Sequence, residues 1–304
     1  MNPSNSVILI TVDVEDWFQV ENFKQYIPFS SWPSYELRVE KNTHRLLDLF
    51  DTSSATHNPI KATFFILGWI GERLPHLVRE IFARGHEVAS HGYSHGLCVE
   101  RSERDLKEDL CDSKKLLEDI IGKPTYGYRA PSFSISNDIL KTIEECGYLY
   151  DSSFNSFGIH DRYGRIALSA DGQNGIATRI SETFYELPVS NIKLGKSVLP
   201  WGGGGYFRLI PLLLFRLGVQ SILKKEHAYL FYIHPWEVDP EQPKVNEAPS
   251  FFRFRHYNNL SGTYKKLKGF IESFKEHRFI SCGRYIEEIC GHSLRPIFEK
   301  EISD

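Results

Sequence analysis

Cysteine is scarce in this 304-residue chain: Cys98, Cys111, Cys146, Cys282 and Cys290 are scattered, with no CxxC pair among them. The odd count and wide spacing exclude a disulfide framework and fit reduced thiols, so a cytoplasmic protein is expected. Long apolar runs are missing too, and none approaches the roughly eighteen residues that span a bilayer. The nearest is Leu209-Ile-Pro-Leu-Leu-Leu-Phe215, bracketed by Arg208 and Arg216. It reads as a buried helix, with peripheral membrane contact as the second reading. The opening MNPSNS has no basic segment, and the apolar stretch behind it runs into acids, not a small-residue cleavage site, so no signal peptide is expected. A net charge of -3 supplies no footprint for nucleic acid. Gly202–Gly205 lacks the GxxxxGK[ST] pattern of a phosphate-binding loop and reads as a rim where backbone approaches a ligand.

What is present is an ordinary globular composition, 41% hydrophobic and 25% charged. The length suits one α/β domain over residues 1–304, with an elaboration from about residue 240 onward. Strand-like segments are predicted at Val7–Val14, Ala62–Leu67, Glu87–Ser90, Tyr126–Arg129, Tyr148–Tyr150, Phe184–Val189, Ala228–Ile233 and near Phe279–Ser281. Helices are predicted between them, around Glu40–Phe50 and over Leu74–Arg84, Asn137–Cys146, Phe207–Leu223 and Ser261–Lys275. Another is opened by the cap Ser102-Glu-Arg-Asp105 and closed by Gly122. Asn155–Thr183 and Pro240–Asn259 read as long loops. This alternation argues for a parallel sheet or barrel with helices outside.

The polar residues with chemical potential fall at strand ends, where parallel α/β folds carry their chemistry. Val7–Val14 runs into three carboxylates, Asp13, Glu15 and Asp16, which repel one another unless a cation or a proton separates them. His91-Gly-Tyr-Ser-His95 offers two imidazoles to one divalent ion. Alone, that spacing is often a surface coincidence; the acids at a neighbouring strand end turn it toward metal. If the strand persists past Val14, alternation puts Glu15 beside Asp13 and turns Asp16 away, making Glu15 the third ligand. A turn right after Val14 would favour Asp16. Arg129, in Tyr128-Arg-Ala-Pro-Ser132, is placed to pair with one of the acids. His234, closing an apolar strand, is a general-acid candidate. Asp151 either caps a turn or orients a histidine. Trp201, Tyr206, Trp236, Phe251 and Phe252 are candidates for stacking on sugar rings, with core packing as the plainer reading.

This order of motifs, from Val7 to Glu237, resembles the polysaccharide deacetylases, the family-four carbohydrate esterases that share the NodB-homology domain. The family's usual pair of adjacent aspartates is replaced by Asp13-Val-Glu-Asp16, similar to the branch of peptidoglycan deacetylases. "RAPSFSI", "GGGGYFRLIP" and "YIHPWEVDP" look like a bacterial exopolysaccharide or surface-glycan subgroup. The resemblance implies a distorted (β/α) barrel of about seven parallel strands. It implies one divalent ion, Zn2+, on His91, His95 and Glu15, with Asp16 as the alternative to Glu15. Asp13 would be the catalytic base, Arg129 its orienting partner, His234 the general acid and Asp151 the carboxylate tuning that histidine. Pro131, Trp201, Tyr206 and Trp236 would contact substrate.

The activity so implied is metal-dependent removal of an N-acetyl group from an amino sugar in a surface glycan, an exopolysaccharide, or a lipid- or nucleotide-linked precursor. Two rivals accompany it: hydrolysis of a non-sugar amide such as a cyclic ureide, and a non-catalytic glycan-binding module.

Overall fold

The computed structural model describes residues 6–54, 59–157, 164, 166, 168, 173–195 and 197–290. Part of the loop expected over Asn155–Thr183, and residues 291–304 of the C-terminal elaboration, lie outside them. The strands are β1 (Val7–Val14), β2 (Thr63–Ile66), β3 (Glu87–Ser90), β4 (Gly127–Tyr128), β5 (Tyr150–Asp151), β6 (Gln173–Asn174), β7 (Ala177–Arg179), β8 (Tyr185–Glu186), β9 (Asn191–Leu194), β10 (Ser197–Pro200), β11 (Ala228–Ile233) and β12 (Arg278–Phe279). Seven run parallel in the order β11-β1-β2-β3-β4-β5-β8, and β7 and β6 add an antiparallel edge. β12 joins β1 in parallel at Val7 and Ile8. The result is an open, distorted (β/α) barrel. β9 and β10 form a separate hairpin.

β1 and β11 are buried at every position, which is why they read as continuous apolar runs and do not alternate. Their register, Val7 opposite Ala228 through Val12 opposite Ile233, sets Asp13 and His234 at one end of adjacent strands.

The helices are α1 (Val39–Ser54), α2 (Gly68–Arg73), α3 (Pro75–Ala83), α4 (Glu103–Ile121), α5 (Asn137–Glu145), α6 (Gly204–Leu209), α7 (Leu212–Glu226), α8 (Ser250–Tyr257), α9 (Leu260–Ser273) and α10 (Cys282–Cys290). α4 matches its sequence signature: Ser102 Oγ accepts from Asp105 N, and Gly122 closes the helix at φ +65°. Several expectations change: β6 and β7 lie within the loop expected over Asn155–Thr183, and the run Leu209–Phe215, expected as a buried helix, leaves Leu209, Leu213 and Leu214 exposed. The helix predicted over Phe207–Leu223 is two helices, because Pro211 has no N–H to continue the first and instead caps the second. The segment predicted as loop over Pro240–Asn259 contains α8, and α10 follows β12 where no helix was predicted. α8 is short and buries only His256 of its residues, whereas α10 carries a periodic apolar face in Cys282, Tyr285, Ile286 and Ile289.

Candidate active site

The chain turns at once after β1: Glu15 N–H donates to Asp13 C=O at 3.0 Å. The strand therefore does not persist, yet Glu15, not Asp16, meets the histidines. Asp16 is drawn the other way by backbone donors. Its Oδ1 accepts from Trp17 N (2.8 Å), and its Oδ2 accepts from Arg38 N (2.6 Å) and Val39 N (2.8 Å), capping the first turn of α1. A carboxylate so engaged has little left for a cation.

Glu15, His91 and His95 are all buried and offer ligand atoms within 4.8 Å of one another. Gly92 at φ +70° turns the chain so that both imidazoles converge, and His95 itself sits in the left-handed region at φ +53°. His91 Nδ1 lies 2.7 Å from Arg129 C=O, an acceptor only, so Nδ1 carries the proton and Nε2 keeps its lone pair. Burial lowers the pKa of His91, and it lowers that of His95 to about 4, so both rings are neutral at pH 7. Burial works against an ionised Glu15, but His95, His234 and His91 outweigh it and hold the carboxyl at about 2. Glu15 Oε2 is buried and accepts no hydrogen bond, although His95 Nε2 stands 3.2 Å away. An orphaned carboxylate oxygen beside two neutral imidazoles is a donor set that fits a divalent cation.

Asp13 lies beside this cluster, and Arg129 is fully buried beneath it. Arg129 Nη1 donates to Asp13 Oδ1 at 2.6 Å and to Thr11 Oγ1 at 2.7 Å, while Nε and Nη2 reach Ser152 O and Oγ at 2.9 and 2.8 Å. The guanidinium also stacks on Phe65, 4.1 Å from its centroid. These bonds fix the guanidinium, whose Nη1 holds Asp13 Oδ1 and leaves Oδ2 3.9 Å from His234 Nε2.

His234 is held by a carboxylate missed in the sequence reading. Its Nδ1 is 2.8 Å from Glu237 Oε1, which also accepts the His234 backbone N–H at 3.1 Å. Glu237 Oε2 in turn accepts from Arg208 Nε at 2.8 Å, and Arg208 donates to the carbonyls of Arg255, His256 and Asn258. Burial disfavours the imidazolium, but Glu15 and Glu237 overcome it and raise the His234 pKa to about 10. The sequence signal was the i, i+3 spacing of His234-Pro-Trp-Glu237, a 3₁₀ turn that brings the acid back over the ring.

Asp151, expected to tune His234, does not touch it. It accepts from Ser153 N (3.0 Å) and Ser153 Oγ (2.7 Å), and Ser153 Oγ accepts from Ala130 N (2.7 Å). Burial pushes Asp151 up, and burial plus the neighbouring Asp151 pushes Glu186 well up. Through Ser153 Oγ, Asp151 anchors Ala130 N–H at the start of the 130–133 turn, and Glu186 Oε1 accepts from Phe154 N at 2.8 Å.

The cleft is walled by Ala130, Ser132, Phe133, Gly204, Tyr232 and Trp236. Ser132 and Phe133, like His95, have positive φ, so three of the five such non-glycine residues among the described ones line the cleft. Of the expected substrate contacts, only Trp236 lines it, stacked between His234 and His256 at 5.0 and 4.2 Å. Pro131 is buried behind the wall made by its neighbours. Trp201 is spent on packing: it stacks on Phe215, and its Nε1 donates to Phe215 O at 2.9 Å. Tyr206 lies edge-on to Phe157 at 5.6 Å, off the cleft.

Comparison with known proteins matches residues 24–150 to the polysaccharide deacetylase family and residues 152–287 to a domain of unknown function, DUF3473. A peptidoglycan-N-acetylglucosamine deacetylase of Bacillus cereus is 33% identical over 106 residues, 35% of this chain and 47% of that protein. The chain thus spans about half the length of that curated relative. Among solved structures, a putative polysaccharide deacetylase from Mycobacterium smegmatis superposes with TM-score 0.61 at 19% identity, over 95% of this chain and 91% of that one. An allantoinase does so with TM-score 0.59 at 14% identity, over 97% and 92%. At these identities the structural likeness speaks for the fold.

Proposed function

Because residues 24–150 match the polysaccharide deacetylase family, we propose that the chain is a divalent-metal-dependent hydrolase that removes N-acetyl groups from an amino sugar of a bacterial surface glycan, exopolysaccharide or sugar-linked precursor. The observation that carries the reading is one constellation. A clamped carboxylate (Asp13) and a protonated imidazole (His234) face each other across a cleft whose floor holds two neutral imidazoles and an orphaned carboxylate oxygen.

A cation on Glu15, His91 and His95, with Zn2+ favoured by the N/O donor set, would supply an acidified water and polarise the amide carbonyl. The chain's own residues do the rest. Asp13, with Oδ1 fixed by Arg129, presents Oδ2 as the base that takes the proton of the attacking water. His234, kept charged by Glu237 and Arg208, donates to the departing amine, which leaves poorly as an anion. The products are acetate and a free amino sugar. Trp236, stacked between His234 and His256, holds the ring of the acid in place. A cytoplasmic location goes with the proposal, checked by cell fractionation.

The test is acetate release from N-acetylglucosamine oligomers by metal-loaded and metal-stripped protein. Release that requires metal and is lost in Asp13→Asn, with oligomer binding retained, is expected. Full activity after stripping would sink the mechanism. Turnover of a cyclic ureide but of no glycan would favour the second reading. Binding without any turnover would leave a glycan-binding module.

A further inference from the structure

We infer that the rim of this cleft is a membrane-docking face, built to sit on an anionic lipid surface with the cleft mouth toward the headgroups. Three independent features coincide there.

The first is exposed apolar area. Of the eleven large apolar side chains exposed among the described residues, eight fall in residues 194–217 and 251–254. Leu213, Leu214 and Leu217 are 67%, 53% and 55% exposed on the first turns of α7 and share one helical face. Leu209 closes α6, and Phe251 and Phe254 stand out from α8 at 62% and 57%. Leu194 and Leu199, on the β9–β10 hairpin, complete the set. Soluble surfaces expose single leucines freely, but a cluster of this kind marks an interaction face.

The second is charge. Residues 187–225 contain six Lys and Arg and no Asp or Glu; residues 248–271 contain five and none. In a chain with 39 acids and a net charge of -3, stretches of that combined length should hold about eight acids. Lys224 and Lys225 lie at the far end of α7, and Arg208 and Lys266 bond to backbone carbonyls in the seam. Lys193, Lys265 and Lys268 are exposed. Exposed leucines and phenylalanines on segments whose charges are all lysine and arginine are the composition of an interfacial surface; a site for a soluble polyanion has no use for the apolar part.

The third is position. α7 ends at Glu226 and β11 begins at Ala228, so the two run antiparallel and the leucine-bearing start of α7 lies at the His234 end of the barrel. Gly204, Gly205 and Arg208 of α6 and Arg255 and His256 of α8 line the cleft itself. Arg208 ties the two helices together through the carbonyls of Arg255 and His256. No helix among the described residues is long and apolar enough to cross a membrane, so the contact is peripheral. That the docked cleft receives a glycan carried on a lipid rests on the hydrolase reading above; the docking does not.

The test is flotation of the full-length, metal-loaded protein with vesicles of phosphatidylcholine alone or in equal parts with phosphatidylglycerol. Binding to the anionic vesicles only, weakening between about 0.05 and about 0.5 M salt, is expected. Lys265→Gln/Lys268→Gln should reduce partitioning about 25-fold, about fivefold for each charge. Leu213→Ser/Leu217→Ser should reduce it at least about tenfold. Both variants should keep the wild-type circular dichroism melt and wild-type acetate release from a short soluble oligomer. Failure to float, equal flotation with neutral lipid, or dextran sulfate binding that competes fully and ignores the leucines would overturn the inference. So would a dimer that the leucine variant dissociates. Flotation without acetate release would uphold docking and sink the hydrolase reading, and the reverse result would separate them the other way.

Discussion

Glu237→Gln tests the least expected part of the site, the carboxylate behind His234. Three donors converge on its two oxygens: the His234 backbone N–H, His234 Nδ1–H and Arg208 Nε–H. Glutamine offers one oxygen and one NH2 group, so at least one donor must face another. Glu237 is 0% and Arg208 4% exposed, so water cannot make good the loss. Breaking a buried pair costs about 3–5 kcal/mol. Arg208 keeps three carbonyl acceptors, which puts the expectation near about 3 kcal/mol, or a Tm lower by about 5 °C for a chain of this size. The catalytic effect has a sign of its own. Burial opposes the imidazolium, and carboxylates hold the His234 pKa at about 10. With Glu15 engaged by a cation, Glu237 is the carboxylate left to keep the ring protonated. Its loss should move the alkaline limb of kcat/KM for acetate release at least about one pH unit toward neutral. Glu237→Asp should fall between. An alkaline limb that stays at the wild-type pH in a variant with lowered Tm would show that His234 is not the titrating acid. An unchanged Tm would refute the buried pair.

Other outcomes follow from the same geometry. Glu15→Gln and His95→Ala should each abolish stoichiometric metal, read by elemental analysis after dialysis. Asp16→Ala should keep the metal and lose about 1–3 kcal/mol in urea unfolding, because three backbone N–H groups lose their acceptor. Asp13→Asn should lower kcat by at least about a hundredfold with little change in oligomer affinity, measured by calorimetry. His86 gives a pH signature of stability away from the cleft: burial, then Lys61, lowers its folded pKa to about 4 against an ordinary 6.5. The unfolded chain binds more protons between those values, so this contribution is whole above about pH 6.5 and is lost as pH falls toward 4. It is worth up to about 3 kcal/mol. His86→Asn, which keeps an acceptor for Ala62 N–H, should flatten that part of the urea-stability profile.

Much of this protein was legible one residue at a time. β1, β3 and β11 lie where the sequence places them, and β1 and β11 owe this to long, mostly apolar runs buried at every position. Ser102 and Gly122 bound α4 through local chemistry that needs no tertiary partner. The placement of Asp13, His91, His95, Arg129 and His234 at strand ends followed from where those runs stopped. What local pattern could not decide was which side chain each group would meet. Glu15 and Asp16 are adjacent and chemically alike. Their division was set by the N–H groups of Arg38 and Val39, more than twenty residues away, which claimed Asp16. Asp151 seemed the partner of His234 until the fold gave that place to Glu237 and gave Asp151 to Ser153. Trp201 and Tyr206 looked like sugar platforms and were taken up by Phe215 and Phe157. The sequence by itself determined the elements and the chemical inventory at their ends, because burial and capping act over a few residues. Only the tertiary structure decided the pairings, because a buried donor goes to the acceptor that the fold brings within 3 Å, however far along the chain that acceptor lies.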